Sequence, residues 1–239
     1  MILYYITDRT QFGGDEAARY SQLLDKIEEA ARAGVDYTQL RERDLTAREL
    51  EQLARQAIAR IAKCTGTQTK TRLLINSRLD VAIAVGADGV HLRADDVNAG
   101  DARAVFGSSP GYQGRAPVIA VSCHSSREVA LAESFGADFA VLGPVFEKQQ
   151  NSHPALGLTE FERGCRREAA AASRMPVLAL GGVTAANAIN CIAAGGSGVA
   201  GIRLFQSNDI GDLVRELRGA ATRPEKSHER HPYWVKREP

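Results

Sequence analysis

Val85-Gly86-Ala87-Asp88 runs directly into Gly89-Val90-His91-Leu92, and this junction decides the fold. A helix-ending glycine, a small residue and an aspartate precede a short run of the kind that is buried on both faces. The phrase recurs at Ala33-Gly34-Val35-Asp36 before Tyr37-Thr38-Gln39-Leu40, and at Phe135-Gly136-Ala137-Asp138 before Phe139-Ala140-Val141-Leu142. Ala194-Gly195-Gly196-Ser197, ahead of Gly198-Val199-Ala200-Gly201-Ile202, is a looser copy. These glycines stand about 50 residues apart, the length of two strand–helix units, as in a chain built from repeats. Glycine suits the position because it alone takes the left-handed conformation after a helix without strain. The run behind it fits a parallel strand covered on both sides. Four such junctions with further strands between them predict an α/β fold, a single closed (β/α)8 TIM barrel.

Working outward, the remaining strands are expected at residues 2–7, 72–75, 117–121 and 176–180. Helices are expected over 15–33, over 79–85, and near 210–217. Thr46 with Glu49 three residues on forms a capping box for one more. The 239 residues suit one barrel. It is expected to occupy residues 1–221, with a polar, proline-interrupted tail over 222–239 that is a mobile appendage; Tyr233 and Trp234 are the tail's only docking handles.

A hydrophobic fraction of 44% and a net charge of +1 describe an ordinary globular protein. They argue against a nucleic-acid or membrane partner recognised by bulk charge. No apolar stretch is long enough to span a bilayer, and the N-terminal strand lacks the features of a signal peptide. Cys64, Cys123, Cys165 and Cys191 are scattered with no C-x-x-C pair, and read as reduced thiols of a cytoplasmic protein. Nothing in the helix faces decides whether the chain forms a homo-oligomer.

Each strand is followed by polar or glycine residues, and in a parallel barrel those ends share the face where active sites are built. Pro176 to Val183 is the clearest such end: a buried strand, Gly181-Gly182, then Thr184 at a helix N-cap. Exposed amides and the helix dipole there favour an anion, with Gly201 the natural partner from the eighth strand. The competing reading is a turn tightened only for packing. In Gln39-Leu40-Arg41-Glu42-Arg43, alternation aims Gln39 and Arg41 into the barrel mouth. A buried arginine needs an anion, either a ligand or Glu42 or Asp44. Ser122-Cys123-His124 follows the fifth strand, where His124 is either an acid/base group or a helix-entry residue bonded to backbone. His91, inside its strand, reads as a satisfied core or mouth histidine, His153 as a solvated loop residue, and Cys123 as packing.

YYITD, QLRER, LLINSRLDVAIAVGADGVHL, AVSCHSSREVALAESFGADFAVLGPVF and PVLALGGVTAANA, in that order, resemble the thiamine phosphate synthase/TenI superfamily from Ile2 to about Leu217. The resemblance implies a thiamine-pathway enzyme whose small-molecule ligand is a thiazole phosphate. It implies two candidate activities. The synthase joins a pyrimidine diphosphate to thiazole phosphate with release of pyrophosphate, using Mg²⁺. The TenI branch aromatises a thiazole phosphate tautomer by acid/base catalysis with no cofactor.

The synthase pattern has Asn-Asp after strand three, an aspartate after strand four, a lysine after strand two and a Thr-x-Thr-Lys loop after strand six. Here Asn76 is kept, Ser77 replaces the first aspartate, Asp96 matches the second, and Arg43 stands for the lysine. The sixth loop reads Phe146-Glu147-Lys148-Gln149-Gln150-Asn151. These departures lean the expectation toward the TenI branch, with His124 catalytic. Gln39, Arg41, Arg43, Asn76, Ser122, Gly182 and Gly201 would bind substrate, and Asp96 would bind Mg²⁺ only in a synthase. A silent phosphate-binding protein using the same pocket is the third reading. Whether the loop over 147–156 closes on a ligand is left open by the sequence.

Overall fold

The computed structural model describes residues 1–64, 71–110, 112, 116–147, 154–166 and 175–221. Eight parallel strands close into a barrel in sequence order, β1 pairing with β8. They are β1 (Ile2–Ile6), β2 (Tyr37–Leu40), β3 (Arg72–Asn76), β4 (Gly89–Leu92), β5 (Val118–Cys123), β6 (Phe139–Leu142), β7 (Val177–Ala179) and β8 (Gly198–Gly201). The helices around them are α1 (Glu16–Ala33), α2 (Ala47–Ala62), α3 (Leu79–Val85), α4 (Ala99–Ser108), α5 (Ser126–Ser134), α6 (Gly157–Cys165), α7 (Ala185–Ala193), α8 (Arg203–Gln206) and α9 (Ile210–Ala221).

The repeated junction behaves as its chemistry requires. Gly34, Gly86, Gly136 and Gly195 all have positive φ, between 66° and 92°. The following aspartates then stitch neighbouring strands together. Asp36 accepts from the Leu3 amide at 2.8 Å, Asp88 from Leu73 at 2.9 Å, and Asp138 from Ile119 at 2.7 Å. The phrase therefore stops the helix and also ties the start of one strand to the next.

Alternation divides the apolar residues into two cores. Tyr4, Ile6, Leu74, Val118, Ala120, Phe139, Val141, Leu178 and Ala200 fill the barrel. Leu3, Tyr5, Leu40, Ile75, Val90 and their equivalents pack outward against the helices. Tyr4, Tyr37 and Phe139 make edge and tilted ring contacts, with centroids 4.9–6.0 Å apart, and close the barrel interior below the mouth. Among the described residues no helix is long and apolar enough to cross a membrane.

α4, α6 and the four-residue α8 are not among the helices the sequence predicts. α4 carries only three buried residues, Ala99, Ala102 and Phe106, and two glycines, so its periodicity is faint. α6 begins at Gly157, where the sequence reads as the end of a polar loop. The thiols of Cys123, Cys165 and Cys191 are buried, which pushes them up to about 12, 12 and 11. This is the behaviour of packing residues, and Cys64 is half-buried.

Candidate functional site

The strand ends open into a cavity of about 940 Å³, within the range of small-molecule sites. Gln39, Arg41, Arg43, Asn76, His91, Ser122, His124, Gly181, Gly182 and Gly201 all line it, so six strand ends contribute to one hollow. Lys148 and His153, most of the loop over 147–156, and the tail with Tyr233 and Trp234 lie outside the described residues.

One wall is the turn after β7. Gly181 and Gly182 have φ of 91° and 64°. A Cβ on Gly181 would lie 2.5 Å from Pro144, and one on Gly182 would lie 2.7 Å from Phe146. Packing alone thus explains why these residues are glycine, as the competing reading held. The hydrogen bonding adds something packing does not require. Among the described residues, the amides of Gly181, Gly182 and Val183 find no acceptor. Asn187, in the first turn of α7, donates from Nδ2 to the Gly182 carbonyl at 3.0 Å and accepts the Thr184 amide at 2.8 Å. Because C=O and N–H are antiparallel across a trans peptide, pinning the Gly182 carbonyl turns the Val183 N–H the opposite way. Successive free amides of this kind form an anion-binding concavity. Gly201 contributes backbone to the cavity, but the missing Cβ would point at Leu204, 2.9 Å away, on the outer side.

Arg41 settles one question left open by the sequence. Glu42 and Asp44 do not pair with it; both are taken by Arg9. Arg9 Nη1 lies 3.2 Å from Glu42 and 2.7 Å from Asp44, Nη2 bonds Asp44 at 2.7 Å, and Nε bonds Glu16 at 2.7 Å. Glu42 also accepts from Thr7 Oγ1 at 2.6 Å and the Arg9 amide at 3.0 Å. The Arg41 and Arg43 guanidinium groups have no acidic partner among the described residues. Burial, then the neighbouring Arg43 cation, lowers the Arg41 pKa, so this side chain is short of an anion. Arg9 was missed because a charged residue in a loop reads as solvated. It is 4% exposed, and its partners stand 7, 33 and 35 residues away. Arg9→Met strands the buried Glu42 carboxylate and is expected to cost about 3 kcal/mol. Urea denaturation checks this, and Arg9→Met with Glu42→Gln should recover part of the loss.

The two histidines are held differently. His124 Nδ1 lies 2.9 Å from the Gly143 carbonyl, which can only accept, so Nδ1 carries a proton and Nε2 is the ring nitrogen this bond leaves free for proton exchange. Its amide donates to Glu128 at 2.8 Å, tying the residue to the first turn of α5. His124 is thus bonded to backbone, as the helix-entry reading expects, and its ring also lines the cavity. His91 is 2% exposed, between Tyr4 and Ser122, and its pKa is driven down to about 3 by burial and by the nearby Arg41 cation. It is a satisfied neutral histidine at the barrel mouth.

Asp96 was the candidate Mg²⁺ ligand. Its carboxylate accepts from the Arg93 amide at 2.8 Å and from the Arg93 guanidinium at 3.1 Å. Burial works against the charged form, yet hydrogen bonds from Ser77 and Arg93 hold its pKa below the usual range. Ser77 itself sits at φ 58°. Asp96 is thus the one carboxylate among Asn76, Ser77 and Asp96, and a guanidinium already occupies it. This set is thinner than the synthase pattern's pair of aspartates, and its one carboxylate is shared with the Arg93 side chain. A Mg²⁺ ion held there would take the rest of its oxygens from substrate phosphate and water.

The comparisons with known proteins agree with one another. A family model described as thiamine monophosphate synthase matches residues 3–205. A putative thiamine-phosphate synthase of Geobacter sulfurreducens is 42% identical over 201 residues, 83% of each chain. The thiamine-phosphate synthase of Methanoculleus marisnigri is 36% identical over 219 residues, 90% of this chain and 93% of that one. Among solved structures, a thiamine phosphate pyrophosphorylase from Pyrococcus furiosus superposes with a TM-score of 0.71 at 25% identity, covering 92% of this chain and 94% of the other.

Proposed function

Because the chain belongs to the thiamine monophosphate synthase/TenI family, and so to thiamine biosynthesis, we propose that it takes a thiazole phosphate and moves a proton on the ring through His124. The phosphate would lie against the free amides of Gly181, Gly182 and Val183, with Arg41 on a second anionic group. His124 would remove a proton at Nε2 while Nδ1–H stays on Gly143. It would return that proton at the second site of the tautomer, leaving an aromatic ring and an unchanged enzyme. What supports this reading is Ser77 in place of the pattern's first aspartate and the sharing of Asp96 with Arg93 and Ser77, which leaves the metal position one carboxylate where the synthase pattern has two. Proton transfer needs no such group.

The second reading is the synthase, and two observations favour it. Relatives at 36% and 34% identity bear that name outright. The cavity of about 940 Å³ is also larger than one heteroaromatic phosphate fills, and Arg41 and Arg43 could together face a diphosphate. The deciding test mixes purified protein with hydroxymethylpyrimidine diphosphate, thiazole phosphate and Mg²⁺, and measures thiamine phosphate with and without EDTA. We expect no catalytic product. Turnover abolished by EDTA would establish the synthase and overturn the proton-transfer reading.

A further inference from the structure

Four polar side chains cross the floor of the cavity in a row. Gln39 Nε2 donates to the Tyr4 hydroxyl at 3.1 Å. That hydroxyl meets His91 Nδ1 at 3.0 Å, and His91 Nε2 meets Ser122 Oγ at 2.7 Å. Tyr4, Gln39 and His91 are at most 2% exposed, so each depends on the others for its hydrogen bonds. Ser122 is half-buried and lines the cavity. Gln39 Oε1 takes no donor among the described residues, yet it is not one of the sealed polar atoms left without a partner. It is the end of the amide that Gln39 shows to the cavity.

Counting protons gives the row a direction. A neutral imidazole has one N–H, and burial keeps His91 neutral. The Tyr4 oxygen already receives the Gln39 N–H, so its own proton goes to the remaining neighbour, His91 Nδ1. The ring proton then sits on Nε2 and is given to Ser122 Oγ, which keeps its own proton to give. With the other tautomer, two donors would converge on the Tyr4 oxygen and the phenol proton would have no acceptor in a dry site.

We infer that Gln39, Tyr4, His91 and Ser122 form a one-way hydrogen-bond chain that makes Ser122 a donor and Gln39 an acceptor on the cavity floor. The ligand edge seated there must offer an acceptor, a ring nitrogen or carboxylate oxygen, to Ser122 and a donor to Gln39. Tyr4 and His91 are positioning residues that act through Ser122, and they select between ring edges of opposite polarity. The ligand half of this inference rests on the cavity being the substrate site; the direction of the chain does not.

The test uses the ligand-free protein with ¹⁵N-labelled histidine at pH 7. Long-range ¹H–¹⁵N spectra separate a protonated ring nitrogen from a bare one, and His91→Asn identifies the signal by its loss. We expect His91 as the Nε2–H tautomer. Tyr4→Phe, which removes the donor to Nδ1, should shift it toward Nδ1–H. An Nδ1–H signal, or an equal mixture, in the unsubstituted protein would overturn the direction whatever the variants do. Ser122→Ala should then weaken binding of thiazole phosphate about tenfold. Nε2–H together with unchanged affinity in Ser122→Ala would overturn the ligand half and leave the direction standing.

Discussion

His124→Ala is expected to slow aromatisation of the thiazole phosphate tautomer on the order of 10²–10⁴-fold, the usual contribution of one positioned acid/base group. Affinity for the ligand should stay within a fewfold, because the anion contacts come from the turn after β7 and from Arg41. The geometry makes this a clean experiment. The bond of the His124 amide to Glu128 survives truncation, and the ring's one hydrogen bond among the described residues is to the Gly143 carbonyl. Stability should therefore be unaffected. In the proposed reaction, with Nδ1–H held on Gly143, one nitrogen would both accept and return the proton, and the ring would not flip between the two transfers. Following the reaction in D₂O by proton NMR would read the transfer directly. A variant keeping more than a third of the wild-type rate would remove His124 from the chemistry.

The barrel and the identity of its mouth could be read from the chain because both rest on local rules. Gly34, Gly86, Gly136 and Gly195 announce four helix ends by their residue type. Alternation in Gln39-Leu40-Arg41 and Ser122-Cys123-His124 sends the first and third residue of each triplet to the cavity. Arg9, Tyr4 and Asn187 escaped because their roles are non-local or invisible in residue type. Arg9 is buried only through three acids from two other segments. Tyr4 reads as one more strand aromatic until the barrel closes and brings His91, 87 residues on, within 3.0 Å of its hydroxyl. Asn187 completes a capping box in the ordinary way, and only the fold shows that its Nδ2 also turns the Gly182 peptide. The state of Asp96 is a similar case. The sequence marks Ser77 as a departure, but the occupation of the carboxylate by Arg93 needs coordinates.

Acid is expected to unfold this protein partly through His91, and the sign follows from the direction of its shift. The folded pKa is about 3, against about 6.5 in an unfolded chain. Between those values the unfolded chain binds a proton that the native protein refuses, so stability falls as pH drops from about 6.5 toward 3. The full loss is of order 4–5 kcal/mol, a large fraction of a typical domain's stability. Asp44, held low by Arg9, and Asp96, held low by Ser77 and Arg93, weaken over the acid end of the same range and must be separated from it. His91→Gln does so, because it keeps a neutral polar group but cannot titrate. In urea melts at pH 8, 6.5, 5 and 4, the variant should start less stable. The gap to wild type should then close by about 1.4 kcal/mol per pH unit below 6.5. A gap that stays constant would mean that His91 does not resist protonation. The same resistance bears on recognition. A doubly protonated His91 would put an N–H against the Tyr4 hydroxyl and reverse what Tyr4 can offer, so the burial that costs stability in acid also holds the floor of the site to one polarity at neutral pH.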